Sequence, residues 1–197
     1  MKRILLTGFE PFREYKINSS WSLVDSFKNT TSDFECIKLL LPVEFKAVSN
    51  LVPEILKQYQ PDIVLTFGQC IGDSIRIERV ALNLDDARTA DNSGYTPIDE
   101  LIHADGKNAY FSSLPIKAIQ HAVVAKNIPA VISNSAGTYV CNHLFYELLY
   151  WSDKLSLPTK IGFLHLPRLP KQVIGTQNPS IPLQQMQIAL HEIIKNL

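Results

Sequence analysis

Short, largely apolar runs recur along this chain, each stopped by glycine or proline, and helical patterns fill the gaps between them. Residues 3–7 (RILLT) run into Gly8, residues 35–41 into Pro42, residues 63–67 into Gly68 and residues 160–166 into Pro167. Runs of that length read as strands buried on both faces, the setting of a sheet covered by helices. Residues 129–133 form a further short run. Between them, residues 45–58 place Val48, Leu51, Val52, Ile55 and Leu56 on one helical face. Residues 20–27 carry Trp21, Val24 and Phe27 behind serines suited to capping. Residues 115–125 form a helix opened by proline, and residues 184–197 a closing helix with Leu190, Ile193, Ile194 and Leu197 on one side. Residues 75–84 alternate in part, which predicts a half-exposed antiparallel strand. Residues 85–105, rich in Asp, Asn, Gly and Pro, read as a long surface loop, functional or disordered. The alternation predicts an α/β fold, a three-layer α/β/α sandwich around a twisted mixed sheet, with residues 1–197 as one domain. Ligand sites in such sheets lie at the carboxyl ends of strands. Residues 8–12, 68–70 and 134–141, with His165, are expected to converge there.

The charge balance narrows the partners. The 197 residues carry 19 Lys+Arg and 19 Asp+Glu, with apolar residues at 46%. Nucleic acids and anionic membranes call for a basic face, so neither is expected as a partner. Near-neutrality also does little to oppose self-association. No run approaches the ~18 apolar residues of a membrane span. The opening MKRILLTGFEPF starts like a secretion signal, but its apolar run, residues 4–6, is shorter than the ~7 such a signal needs. Cys36, Cys70 and Cys141 are far apart and lack a C-x-x-C arrangement. A disulfide framework is not expected, and a reducing, cytoplasmic setting is favoured.

The stretch PAVISNSAGTYVCNHLFYELLYW concentrates the chemistry. After the strand at 129–133 and a polar turn at 134–137, apolar residues fall at Cys141, Leu144, Phe145, Leu148 and Leu149, a helical series. A cysteine in the first turn of a helix meets the positive end of its dipole. That favours the thiolate, the nucleophilic form. The plain alternative is a small buried apolar residue, a common fate of free cysteine. Cys36, inside a strand, reads as core; Cys70 follows a strand end, where it can line a site. A thiol nucleophile needs an imidazole to take its proton. His143, two residues along the helix, points about 200° away and reads as structural. His103 falls in the loop, His121 and His191 on helices. His165 ends an apolar strand and is the best placed of the five histidines. The imidazole in turn needs an orienting group. Glu147, on the helix after Cys141, reads as outward-facing. Glu78, flanked by Ile77 and Val80, is uncomfortable without a partner, although an ion pair with Arg76 or Arg79 also explains it. Asp85, Asp86 and Asp91 match no calcium-loop spacing and read as loop caps, so no metal site is expected. No H-E-x-x-H, P-loop or G-x-S-x-G occurs.

Segments spread from end to end resemble the pyrrolidone-carboxyl peptidase family, also called pyroglutamyl peptidase type I. They are LLTGFEPF, ERVALNLDDARTADNSGYTPID, DGKNAYFSSLPIKA, SNSAGTYVCNH and GFLHLP. The resemblance implies a phosphorylase/hydrolase-like fold and a cysteine exopeptidase that removes N-terminal pyroglutamyl residues from peptides through a thioester. It implies no cofactor and no metal, and a homotetramer. The family's Glu–Cys–His order falls on Glu78, Cys141 and His165. Its substrate-binding residues fall on Phe9, Phe12, Tyr139 and Val140 as apolar walls, on Gln69 beside the lactam, and on Arg88 at the developing oxyanion, with the Cys141 N–H. Tyr139 stands where phenylalanine is usual. The turn after Gln69 reads Cys70-Ile71-Gly72-Asp73, one residue shorter and bulkier than the family's. Thr89 and Ala90 replace an apolar residue and a proline. The three catalytic positions show no departure. Two other readings fit the same fold: a nucleoside phosphorylase-like transferase, for which no phosphate-binding cluster is evident, and a protein that binds pyroglutamyl ends without cleaving them.

Overall fold

The computed structural model describes residues 1–29 and 33–197. In chain order their elements are β1 (Lys2–Phe9), α1 (Ser19–Ser26), β2 (Phe34–Leu41), α2 (Phe45–Tyr59), β3 (Ile63–Gln69), β4 (Ile75–Glu78), β5 (Val80–Leu82), β6 (Ala109–Phe111), α3 (Ile116–Val124), β7 (Ala130–Ser133), α4 (Val140–Lys154), β8 (Lys160–Leu166) and α5 (Leu183–Lys195). Six strands form one sheet in the order β2-β1-β3-β8-β4-β7, while β5 and β6 pair separately. β2, β1, β3 and β8 are mutually parallel. β4 runs against β8, and β7 runs with β4, so the sheet is mixed, as expected.

Strand pleat sorts the side chains into two cores, because neighbouring residues point to opposite faces. On one face, Ile4, Leu6, Ile63, Leu65, Phe67, Ile75, Ile77, Leu164 and Leu166 pack against α1, α3 and α5. On the other, Leu5, Val64, Ile161 and Phe163 pack against α2 and α4. Each fully buried side chain of this size contributes about 1.5–3 kcal/mol. The same parity decides chemistry. His165 lies one residue past Leu164 and Glu78 one past Ile77, so both face α4.

Two close approaches fix the helices at the carboxyl end of β1. A Cβ on Gly8 would lie 2.7 Å from the backbone of Ser20 and Trp21, so only glycine lets α1 pack there. Asn18, not a serine, caps α1: its Oδ1 accepts the Ser20 N–H at 3.0 Å. Ser20 Oγ instead accepts the Phe9 N–H at 2.9 Å. The start of α2 has no side-chain cap of its own. Asp91 Oδ2, from the 85–105 loop, accepts the Phe45 N–H at 3.0 Å and fills that role.

Several expectations change. Residues 75–84 do not form one half-exposed strand. The chain leaves the main sheet at Arg79, β4 is largely buried, and β5 pairs with β6, a strand without a sequence signal of its own. The 85–105 loop is pinned at many points: Asp85 and Glu100 exchange backbone hydrogen bonds at 2.8 and 2.9 Å, and the Asn92 N–H reaches Val43 at 3.0 Å. Cys36 is only half-buried, because β2 is an edge strand. Glu147 is buried, not outward-facing, because residues 142–150 of α4 are buried on every side. Among the described residues, no helix is long and apolar enough to cross a membrane.

Candidate active site

Cys141 is the second residue of α4, so its N–H belongs to the first turn and has no acceptor within the helix. Beneath it lies Gly68 of β3, on the same face of the sheet. A Cβ there would meet Cys141 Sγ at 2.8 Å, Phe163 Cζ at 2.9 Å and His165 Cδ2 at 3.1 Å. The sulfur and the imidazole edge thus crowd one side-chain-free spot. Gly68 and His165 are register partners across the β3–β8 ladder. Glu78 approaches from β4, whose Arg76 and Ile77 pair with His165 and Leu164.

His165 Nδ1 lies 2.8 Å from Glu78 Oε1. That leaves Nε2, beside Cδ2, for Cys141. Glu78 is 1% exposed, and its second oxygen has no hydrogen-bond partner among the described residues. Burial by itself would drive the His165 pKa down. The charge and hydrogen bond of Cys141, together with those of Glu78, outweigh it and raise the value to about 9. The constellation therefore stabilises an imidazolium between sulfur and carboxylate. The alternative reading of Glu78, an ion pair with Arg76 or Arg79, is not met among the described residues. Arg79 Nε donates to Asn134 Oδ1 at 2.8 Å, and Arg76 donates to the Ile71 carbonyl at 3.2 Å.

The sulfur opens onto a cavity of about 350 Å³ lined by residues from three of the expected segments, 8–12, 68–70 and 134–141. Phe9, Phe12, Tyr139 and Val140 contribute apolar walls, and Gln69, Cys70 and Ile71 also line it. Phe12 and Tyr139 lie 5.5 Å apart between ring centroids, and Tyr139 meets Phe45 edge-on at 5.3 Å. The Tyr139 hydroxyl donates to the Ala90 carbonyl at 2.9 Å, and burial pushes its pKa up to about 12, so it stays neutral. Gln69 Oε1 accepts from the Ser19 N–H at 2.9 Å and from Gln172 Nε2 at 2.8 Å. The amide nitrogen of Gln69 is left as its donor to the cavity. Burial raises the Cys70 thiol to about 11, which keeps it protonated.

Arg88 is exposed and lies outside the cavity lining. Its loop is tied close to α4: Asp86 N–H donates to the Thr138 carbonyl at 3.0 Å, and Thr138 Oγ1 donates to the Asp86 carbonyl at 2.7 Å. Five lining residues went unread in the sequence: Arg13, Tyr15, Asn18, Val43 and Arg168. Arg13, Tyr15 and Asn18 follow GFEPF closely enough for proximity to suggest them. Arg168, 153 positions from the Tyr15 it touches, carries no such signal.

His143 is structural, as its helical position implied. Its Nδ1 lies 2.7 Å from Asp85 Oδ2 and its Nε2 2.8 Å from Ser49 Oγ. Glu147 pairs with His103 at 2.9 Å. Asp91 Oδ1 accepts from the Ser93 and Tyr95 N–H groups, both at 2.9 Å, so the loop carboxylates hold backbone and imidazole.

A thiol at a helix start, an imidazole behind it and a buried carboxylate behind that define the arrangement of a cysteine hydrolase on an α/β sheet. The chain belongs to the pyroglutamyl peptidase family, whose sequence model matches residues 2–196. It is 44% identical over 194 residues to a pyrrolidone-carboxylate peptidase of Staphylococcus aureus (strain JH9), covering 98% of this chain and 92% of that one. It is 45% identical over 193 residues to a pyrrolidone-carboxylate peptidase of Brachyspira hyodysenteriae, covering 98% and 96%. The crystal structure of Bacillus amyloliquefaciens pyroglutamyl peptidase I superposes with a TM-score of 0.94 at 36% identity, over 100% of this chain and 96% of that one.

Proposed function

We propose that this enzyme removes N-terminal pyroglutamyl residues from peptides, with Cys141 as nucleophile, His165 as general acid and base, and Glu78 as the group that orients His165. The observation that carries this is the contiguous Glu78–His165–Cys141 arrangement opening on an apolar cavity. The thiolate of Cys141 attacks the pyroglutamyl carbonyl. The Cys141 N–H receives the oxyanion, with Arg88 as its second partner from the loop tied to Thr138. The His165 imidazolium protonates the leaving amine and a thioester remains. Water, deprotonated by His165, then releases pyroglutamate. The lactam is neutral and flat. Phe9, Phe12, Tyr139 and Val140 suit its ring, and the amide nitrogen of Gln69 suits its carbonyl.

Turnover of a pyroglutamyl fluorogenic amide tests the reading. Cys141→Ser is expected to lose nearly all activity while keeping the wild-type circular dichroism spectrum, and alkylation of the wild type is expected to abolish turnover. Undiminished turnover by Cys141→Ser would refute the assignment. The same reading places the enzyme in the cytoplasm, in keeping with its three free thiols, and assembles it as a homotetramer. Exposed Ile98, Leu101 and Phe111 are consistent with such assembly. Sedimentation at the monomer mass would overturn the tetramer, and export from the cell the cytoplasmic setting.

A further inference from the structure

The cavity carries more positive charge than a pyroglutamyl ring calls for. Its lining includes two guanidinium groups, Arg13 and Arg168, and no carboxylate. The ring is a neutral lactam, so neither cation has a counterpart in it. Each is nevertheless held in the wall by an aromatic ring. Arg13 lies over Phe12 at 4.9 Å and Arg168 over Tyr15 at 4.8 Å. Arg13 is partly committed, since it donates to Thr89 Oγ1. Arg168 is less so. One terminal nitrogen donates to the Tyr15 hydroxyl at 2.7 Å, while its Nε is buried with no hydrogen-bond partner among the described residues. The backbone beneath it is fixed: the Ile181 N–H bonds the Arg168 carbonyl at 3.1 Å, and Leu169 is buried. A stacked, anchored guanidinium with unspent donors is a preorganised donor to a carboxylate. Lysine would lack both the planar fork and the stacking.

We infer that Arg168, in the same cavity lining as Arg13, forms a carboxylate subsite beside the scissile bond, and that the enzyme favours peptides whose residue after pyroglutamate carries a negative charge. The chemistry fits two sources: the free C-terminal carboxylate of a pyroglutamyl dipeptide, or an acidic side chain at that position in a longer peptide. This inference rests on the pyroglutamyl peptidase reading above.

Two matched substrate pairs test it in the wild-type enzyme: pyroglutamyl-alanine against pyroglutamyl-alanine amide, and pyroglutamyl-aspartate amide against pyroglutamyl-asparagine amide. A charge-assisted hydrogen bond of this kind gives about tenfold in kcat/KM for the charged member of at least one pair, carried mainly by KM. The pair that shows the preference identifies the source. In Arg168→Met, which keeps an apolar stem on Tyr15, the ratio is expected to fall towards one. Arg168→Lys is expected to hold an intermediate ratio. Should Arg168→Met fail to fold, the wild-type ratio and its decline with added salt decide instead. Equal kcat/KM for both members of both pairs would overturn the inference, as would a ratio that survives in Arg168→Met. Cleavage of the neutral amides with equal ratios sinks the subsite alone. No cleavage of any of the four substrates sinks the peptidase reading.

Discussion

Gly68→Ala puts one methyl group where the sulfur and the imidazole meet. The added Cβ would lie 2.8 Å from Cys141 Sγ, 2.9 Å from Phe163 Cζ and 3.1 Å from His165 Cδ2. Ordinary contacts of this type need about 3.5–4.0 Å. Relief thus requires the sulfur to retreat by roughly 0.8 Å, or β3 to part from β8, where Gly68 is paired with His165. The strand cannot yield easily, because its neighbours Phe67 and Thr66 are fully buried. Overpacking of this size costs about 1–3 kcal/mol of stability. A displacement near 1 Å at a reacting atom costs about 100-fold in rate. The expected outcome is a folded protein with a lowered urea midpoint, kcat/KM on a pyroglutamyl amide down by about 100-fold, and slower alkylation of Cys141. KM should change less than kcat, since the methyl sits under the nucleophile and not in the cavity wall. A variant with near wild-type kcat/KM would show that the tight spot over Gly68 does not set the geometry of the reacting pair.

Two further outcomes follow from the charges. His165 has an ordinary pKa near 6.5 when unfolded and about 9 in the fold, so its ionic contribution to stability is complete below pH 6.5 and is lost as pH rises through 9. Glu78→Gln removes one of the groups that raise this value. It should shift the alkaline limb of kcat/KM to lower pH and reduce kcat by about 100-fold with little change in KM; an unmoved alkaline limb would count against Glu78 as the orienting charge. His143→Ala strands the buried Asp85 carboxylate and the Ser49 hydroxyl, and should cost about 3 kcal/mol in urea unfolding. A loss below about 0.5 kcal/mol would mean that the 85–105 loop is held to α4 by its other contacts.

Much of this architecture was legible because it depends on local patterns. Continuous apolar runs such as residues 63–67 and 160–166 marked buried strands, and Val48, Val52, Ile55 and Leu56 marked the inner face of α2, although Leu51, read on the same face, is exposed. Cys141 was visible as a helix-start thiol and His165 as a strand-end imidazole. Family resemblance placed Phe9, Phe12, Gln69, Tyr139 and Val140, all of which line the cavity. What escaped depends on contacts distant in sequence. Asp91 caps a helix that begins 46 residues earlier, β6 forms only because β5 offers it a partner, and Arg168 meets Tyr15 across 153 positions. Glu147 misled for a different reason. A carboxylate on a helix is normally turned to water, but α4 is enclosed by α2, the sheet and the 85–105 loop, and His103 supplies the partner that makes burial tolerable.

The site depends on strand parity more than on any one contact. Cys141 is delivered by a helix, whose position along the sheet tolerates small shifts. Glu78 and His165 are delivered by strands, where a slip of one residue turns a side chain through the sheet. In the observed register Ile77 and Leu164 face α1, α3 and α5, while Glu78 and His165 face α4. A slip in β8 would bury the imidazole among Leu65, Phe67 and Met186, far from sulfur and carboxylate alike, and bring Leu164 to the α4 face. Ile77 before Glu78, with Leu164 and Leu166 on either side of His165, therefore acts as the registration device of the active site. Ile77 and Leu164 touch no substrate, yet their burial enforces the parity that lets a carboxylate and an imidazole meet 2.8 Å apart.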